Sequence, residues 1–587
     1  MLLEPTLAAI AAQAIRRTFG LEEEVDPLLR ATSDRRHGDF QLNAAMALSK
    51  RLGRKPRELA EEIAEALGAE RCVQGTEIAG PGFVNIRLSD AWIAERLAMM
   101  LEDAERHGVP RVDLPETIVV DFSSPNIAKQ MHVGHLRSTI IGDSIVRMLR
   151  FVGHRVIGDN HLGDWGTQFG LLLLGMREWG SEAALEADAI VELERVYKLA
   201  STRSEADEAF AEAARAELVK LQAGDAENRA LWERFVSTSR AKLEEVYAML
   251  GVEFDEWLGE SAYHDRLAGV VQALEERGIA REDQGAICVF FAGLEGAPKE
   301  LRKTEAPLVI RKRDGAFLYS TTDLATALYR RERFAADRCV YVVDKRQGLH
   351  FKQLFAVLGA LGVPLELEHV GFGMVLGDDG KPMRTRDASG ALITLASLLE
   401  ESKVRALERI EEGRATGRLR IADESLEEAA RVLGIGSVKY ADLRQNRLSD
   451  YRFEWEKMIS FEGDAMPYLN YAYARVLSVF EKGGESLEEA AGPIHLELDK
   501  EGILARRLLG YPDVVRRAAR TYQPHLISQH LYELAREFSS LYSLKQQWPI
   551  LEAEPAIRAS RLALLALVAQ QMRHGLALMG IELIDRM

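Results

Sequence analysis

Thr117–Phe122 reads TIVVDF, a short apolar, β-branched run, and it constrains the fold more than any other segment of the chain. A strand with one wet face alternates polar and apolar residues; an unbroken apolar run predicts a strand buried on both faces, as in a parallel sheet. After it, apolar residues fall at Leu136, Ile140, Ile141, Ile145, Met148, Leu149 and Val152, one face of a helix, and a second strand-like stretch, Arg155–Gly158, follows closely. Strand, polar loop, helix and strand together fit a parallel βαβ unit.

The chain has 587 residues, which at about 100–200 per domain predicts roughly three to five domains. A small mixed unit occupies 1–112, with helical patterns over Leu7–Phe19 and Ala44–Leu67 and a strand, Phe83–Leu88, entered through Pro81-Gly82. Pro110–Pro115 reads as a linker. An α/β unit spans 113–400, with further strands at Ala286–Phe291, Leu308–Arg311, Cys339–Val343 and His369–Met374, interrupted by a charged, helical insertion at about 180–275. A helical connecting segment covers 401–455. A helical bundle covers 456–587, with amphipathic runs such as Leu531–Leu544 and Arg561–Met579. The fold class expected is multidomain, α/β plus all-α.

Composition excludes several classes. With 28% charged and 47% hydrophobic residues the chain is not largely disordered. Its 75 basic and 91 acidic residues leave a net charge of −16, against a histone-like, charge-driven nucleic-acid binder, although a local basic face remains compatible with an acidic whole. The longest apolar stretch, Phe355–Leu365, is too short to cross a bilayer, which takes about 18–20 residues. Glu4 follows at once on the N-terminus with no basic region, so no secretory signal is expected. The three cysteines, Cys72, Cys288 and Cys339, are far apart and odd in number, suiting neither a disulfide framework nor a zinc cluster. The expectation is a soluble protein of a reducing compartment, the cytoplasm, with no membrane partner.

The chemistry concentrates in Asp121–Arg137, DFSSPNIAKQMHVGHLR. A polar loop leaves the buried strand and enters a helix expected to begin near His132. Unpaired backbone N–H groups and the positive end of the dipole make a helix start attractive to phosphate. His132 and His135, three apart, share one side of the first turn. Gly134 between them lets a flat group such as adenine approach the backbone. Two donors at one helix start suit a nucleotide whose α-phosphate gains charge in a transition state. Histidines at a helix start also serve as plain caps. A zinc reading lacks the i,i+4 spacing, the adjacent glutamate and a third ligand.

SSPNIAKQMHVGHLRSTIIGD, followed by GDNHLGDWGTQFG, resembles the signature region of class I aminoacyl-tRNA synthetases in their arginyl version, with His132-Val133-Gly134-His135 standing for the HIGH motif. The resemblance runs over essentially the whole chain: FLYSTTDLA (317–325) and YVVDKRQGLHFKQL (341–354) resemble arginine-pocket and ATP-pocket segments, HGDFQLNAAMALSK (37–50) the added tRNA-contacting domain, and MPYLNYAYARV (466–476) the opening of an anticodon-binding bundle. It implies a Rossmann-like catalytic domain, with 1–112 as the tRNA-contacting domain and 456–587 as the anticodon-binding bundle. By resemblance Tyr319 and Asp323 hold the substrate guanidinium, Asp121 and Asn126 its α-amino and carboxylate end, and Gln347 completes that pocket. ATP is assigned to Ser123, His132, Gly134, His135, His350, Met374 and Val375. Arginine brings five donors, no acceptor and a permanent charge, so a site that selects it needs carboxylates in fork geometry. Taken singly, Asp323 also suits a helix N-cap and Tyr319 packing at the edge of a core.

The family's KMSKS lysines are missing. The corresponding loop, Gly380–Gly390, reads GKPMRTRDASG and offers Lys381, Arg384 and Arg386, while Lys129, just before the HIGH-like motif, matches a lysine thought to compensate in the family. The implied activity is arginine–tRNA ligation: L-arginine and ATP form arginyl-adenylate, which passes to the terminal adenosine 2′-hydroxyl of tRNA(Arg), with tRNA needed for efficient activation. Magnesium is expected to travel with ATP, with no permanent cofactor, and the family suggests a monomer. From Arg506 to Trp548, Arg506, Arg507, Arg516, Arg517, Arg520, Arg536 and Lys545 alternate with Tyr511, Tyr522, Tyr532, Phe538, Tyr542 and Trp548, a pattern that suits single-stranded RNA loops, although any one of these residues fits a bundle with a solvated face better. Tyr542 lies where the family places an anticodon-stacking residue. Another class I synthetase, a nucleotidylyltransferase and a tRNA-binding paralogue without catalysis are the competing readings.

Overall fold

The structure, a computed structural model, describes the whole chain except residues 33, 378, 384–392 and 545. Its N-terminal unit pairs β1 (Leu29–Ala31), β2 (Phe40–Leu42), β3 (Val73–Ala79) and β4 (Phe83–Leu88) in the order β1-β2-β4-β3, all antiparallel. Only β4 is evident in the sequence; β1 and β2 have three residues each and β3 has no clean alternation of burial. The single helix expected over Ala44–Leu67 is two, Ala44–Leu52 and Pro56–Gly68. Gly53 ends the first in the left-handed conformation, and Pro56 opens the second where its missing N–H is harmless.

The parallel sheet forms as the apolar run predicts. β5 (Thr117–Asp121) and β6 (Arg155–Asp159) pair in parallel from Thr117↔Arg155 to Asp121↔Asp159, joined through the helix Val133–Val152. Leu136, Ile140, Ile145 and Met148 on that helix are fully buried, as are Val119 and Val120 on β5. Next come β7 (Ala280–Asp283), β8 (Ala286–Val289) and β9 (Leu308–Arg311), then β10 (Arg338–Tyr341) and β11 (Glu366–His369), which complete a sheet of order β11-β10-β5-β6. Connections from β5 and β10 leave toward opposite sides, so the sheet has a switch point between them; ligands of open α/β sheets bind outside the strand C-termini at such a point.

Three expectations need correction. The strands predicted near 286–291 and 308–311 exist, but β7, β8 and β9 form a separate antiparallel sheet. His369–Met374 is not one strand: β11 ends at His369, and the N–H of Gly373 and the carbonyl of Phe372 turn to Arg447 and Lys345 before β12 (Val375–Leu376) pairs with β13 (Tyr451–Arg452). The helical insertion comprises Glu182–Ala187, Ala189–Ala206, Glu208–Gln222 and Ala226–Leu250 and ends there, not near 275. Beyond it the chain returns to the sheet, where the amides of Asp255 and Glu256 donate to the Gly158 carbonyl at 2.9 and 3.1 Å.

The remainder is helical. Leu395–Ala415 and Leu426–Leu443 pack against the α/β unit, and Met466–Gly483, Asp499–Leu509, Tyr511–Thr521, His525–Tyr542 and Pro555–Leu578 form the bundle. Buried Arg137 fastens the Val133–Val152 helix to this part through Asp442, 3.0 Å away. No helix is long and apolar enough to cross a membrane, among the described residues.

Candidate active site

His132 precedes the helix in extended conformation (φ −125°, ψ 175°) and closes a capping box with His135. Its Nδ1 accepts the Gly134 N–H at 3.0 Å, and its own N–H donates to Nδ1 of His135 at 3.2 Å. Burial lowers the pKa of both imidazoles, and for His135, with His132 beside it, to about 4. A neutral ring whose Nδ1 accepts carries its proton on Nε2. Near pH 7 the helix start therefore presents two neutral Nε2–H donors, with ring centroids 4.3 Å apart and no partner for either Nε2 among the described residues. Capping and ligand binding are not rivals here, because they use different nitrogens. Gly134 is required by the histidines themselves: a Cβ there would stand 2.7 Å from Cε1 of His132.

The loop between β5 and this helix is strained. Ser123, Ser124 and Ala128 all have left-handed backbones, at φ 74°, 50° and 66°, a conformation disfavoured for side chains and concentrated at binding sites. Ser123 lies beneath the cleft rather than in it. Its hydroxyl is 2.7 Å from both Thr139 and Tyr247, its N–H donates to Ser138, and no polar atom is left for ATP but the carbonyl. Asn126 is exposed and bridges to Gly163, whose missing side chain makes room for it: a Cβ on Gly163 would be 2.1 Å from Asn126 Oδ1. Lys129 is exposed, with its ammonium 5.6 Å from the ring of Tyr197 in the insertion.

Across the cleft, Tyr319 and Asp323 sit in the first turns of the helix Tyr319–Phe334. Asp323 is thus inside the helix and not its N-cap, and Tyr319, 61% exposed, is not core packing. His350, expected against ATP, stands with them: its Nε2 is 2.6 Å from Asp323 Oδ2 and its ring 4.9 Å from that of Tyr319. Glu260, which sequence reasoning missed, belongs to the same side. Its side chain has no hydrogen-bond partner among the described residues; burial, with the charges of Asp164 and Asp323 and against that of His161, pushes its pKa up to about 7. A lone Glu in a loop has no signature of its own, and the over-long insertion concealed it.

Beneath both sides, Asp121 and Asp159 end neighbouring strands and share one buried guanidinium. Arg330, from the far end of the Tyr319 helix, donates to Asp159 at 2.7 Å and to Asp121 at 2.6 Å. Burial raises the pKa of Asp159 despite Arg330; burial alone would lower that of Arg330, but the two carboxylates outweigh it and hold it well above the usual value. Asp121 also accepts from the Ser124 hydroxyl at 3.0 Å. Its carboxylate is therefore engaged by protein groups at both oxygens.

Gln347 is exposed at the end of the turn Lys345–Gln347 that follows β10. The Met374 amide donates to Asp450 at 2.8 Å, and the Val375 carbonyl accepts from Met383 at 2.8 Å, so both lie at the β12–β13 pair on the rim. Arg384 and Arg386 lie outside the described residues. Tyr542 ends its helix half-buried, with the Arg475 guanidinium 5.2 Å from its ring. Much of the basic and aromatic run around it serves the interior: Arg506 pairs with Asp39 and Asp90, Arg507 with Glu533 and Glu537, and Tyr511, Tyr522, Phe538 and Trp548 are buried.

Residues 97–455 match the family described as tRNA synthetases class I (R), catalytic domain; 469–587 match the DALR anticodon binding domain and 5–88 the arginyl tRNA synthetase N terminal domain. A curated arginine–tRNA ligase of Azotobacter vinelandii is 46% identical over 599 aligned positions, covering all of both chains. That of Alcanivorax borkumensis is 45% identical over 567, covering 95% of this chain and 94% of its own. The Thermus thermophilus arginyl-tRNA synthetase structure shares the fold with a TM-score of 0.80 at 24% identity, over all of both chains. The Plasmodium falciparum structure gives 0.81 at 24% identity, over all of this chain and 99% of its own.

Proposed function

The chain belongs to the class I arginyl-tRNA synthetase family and is an ATP-dependent arginine–tRNA ligase, and from that premise we propose how its residues divide the reaction. The reading rests above all on the pair of neutral Nε2–H donors at one helix start, opposite an acidic pocket. His132 and His135 donate to the non-bridging oxygens of the ATP α-phosphate, with Gly134 and the rim at Met374 and Val375 flanking the adenine. Neutral donors suit the α-phosphate because they stabilise charge as it develops without first binding the substrate anion as strongly as a cation does. Lys129, with Arg384 and Arg386, takes the β,γ end, and magnesium enters as part of MgATP.

Arginine lies across the cleft. Its guanidinium meets Asp323, Glu260 and the Tyr319 hydroxyl, while His350 orients Asp323 rather than ATP. Asn126 and Gln347 hold the α-amino and carboxylate end. Asp121 acts through the fixed strand end and its Ser124 contact. No enzyme nucleophile is needed. The arginine carboxylate oxygen attacks the α-phosphorus in line, the bond to the β,γ-phosphate oxygen breaks, and pyrophosphate leaves; positioning and charge stabilisation supply the catalysis. The tRNA terminal 2′-hydroxyl then attacks the adenylate carbonyl and AMP departs. We assign 456–587 to the anticodon, with Tyr542 as a stacking residue, 1–112 to a second tRNA contact, and the monomer in the cytoplasm as the working form.

ATP–pyrophosphate exchange with each of the twenty amino acids, with and without tRNA, tests this. Exchange with arginine alone, dependent on added tRNA, is expected. Exchange with another amino acid would overturn the pocket assignment, and tRNA binding without exchange would overturn the catalytic one.

A further inference from the structure

A cavity lies at the opposite end of the parallel sheet from the active site. Its volume is about 570 Å³, within the roughly 300–1,000 Å³ of small-molecule sites. Glu116, His154 and Arg338, at the starts of β5, β6 and β10, form its floor, the N-terminal helix Leu3–Phe19 one wall and the bundle helix Tyr511–Thr521 the other. A strand of five residues spans about 16 Å, so the cavity and the cleft do not share side chains.

Its charge is unbalanced in one place. Arg516, Arg517 and Arg520 line the cavity, and Arg516 and Arg520, four apart, share a helix face. None of the three guanidinium groups has a hydrogen bond or ion pair with any described residue, and Nη1 of Arg516 is buried without a partner. Arg506 and Arg507, on the preceding helix, are each held by two carboxylates. The carboxylates of the cavity wall are largely committed elsewhere. Asp513 accepts the N–H groups of Leu3 and Glu4 at 2.6 and 3.1 Å, Glu116 pairs with Arg338 at 3.1 Å, and Asp26 accepts from Leu28 at 2.8 Å. Arg516 also lies near the cation Arg106, whose pKa burial lowers with the Arg516 charge adding to the effect, and near His154, which burial keeps neutral with its Nδ1 accepting the Glu116 N–H at 3.1 Å. A buried donor without an acceptor, among like charges, is a group built to meet an anion.

We propose that this cavity binds a phosphorylated small molecule of nucleotide size, its phosphates held by Arg516 and Arg520 with Arg517 at the mouth. Guanidinium forks match phosphate oxygens in pairs, and the site is several times larger than inorganic phosphate. The apolar wall of Ile118, Leu149, Val152 and Ala519 suits the organic part. Because N-terminal unit, sheet and bundle all line the cavity, an occupant stabilises their mutual packing.

Calorimetric titration of the full-length protein with GDP, whose base separates it from ATP, tests the site. The expected result is binding in the wild type that weakens about tenfold or more in R516A/R520A, with KM for ATP unchanged. Arg520 is exposed, so R520A by itself leaves the fold intact and should lose several-fold in GDP affinity. Equal GDP affinity in wild type and both variants, or none in the wild type at millimolar GDP, would overturn the proposal. So would a variant that raises KM for tRNA while leaving GDP binding unchanged, which would place RNA backbone phosphate there instead.

Discussion

The two sides of the cleft, to which we assigned phosphate and guanidinium, are built in opposite ways. The phosphate side is local: His132, Gly134 and His135 fix one another through bonds spanning two or three residues, and their rings stay neutral. The guanidinium side is assembled from afar: Asp323 meets His350 across 27 residues, and Glu260 arrives from a third segment with its carboxyl pKa raised to about 7. The first side is set as soon as one helix start forms. The second exists only when three segments have packed, and only there is charge stored in advance for a cationic substrate. A local constellation resists distant mutations, whereas an assembled one depends on its foundation.

That difference can be broken at the foundation first. Replacing Arg330 by Ala leaves Asp121 and Asp159 buried and unpaired beneath the assembled side, and stability measured by urea unfolding should fall by about 3–5 kcal/mol. If Asp323 is the main countercharge for arginine, D323A should lower kcat/KM for arginine about a thousandfold while KM for ATP holds. An equal effect on both substrates would show that the sides are not separate. On the local side, H135A removes one Nε2–H donor and one cap bond; kcat for exchange should drop about a hundredfold, with KM for arginine nearly unchanged.

The smallest expected effect is a titration that only the assembled side shows. The Glu260 pKa is raised to about 7, so its carboxylate is ionised above that pH and neutral below it. Arginine binding favours the ionised form, so KM for arginine should rise about tenfold from pH 8 to pH 6, and E260Q should flatten that slope. The linked stability has the reverse sense. A raised carboxyl pKa favours the folded state at low pH, and that contribution is lost as pH rises from the ordinary range, near 4.5, through about 7. Since His135 titrates at about 4, it should contribute no pH dependence in this window.

What could be read without the fold follows the same division. TIVVDF and the helical spacing after it announced β5, the Val133–Val152 helix and the parallel pairing, and the histidine spacing announced the cap and the donors. Tyr319 and Asp323 were found through resemblance and were indeed brought together on one helix face, but nothing local linked them to His350. Charge and aromatic content in the bundle could not separate the two readings for Arg506, Arg507 and Trp548, because a pattern of cations and rings looks the same whether its partners are phosphates and bases or the carboxylates of a neighbouring unit.

By itself the sequence determined the elements whose causes lie within a few residues: an apolar run that must be buried on both faces, a helix stripe, a cap built from neighbours. Only the tertiary structure decided the lengths of the insertion and of β11, the separate sheet of β7, β8 and β9, the Arg330 floor and the place of Glu260. The physical reason is that burial and electrostatics act through space. Whether a carboxyl is ionised, or a guanidinium finds a partner, depends on which distant side chains exclude water from it, and that is settled when the chain packs.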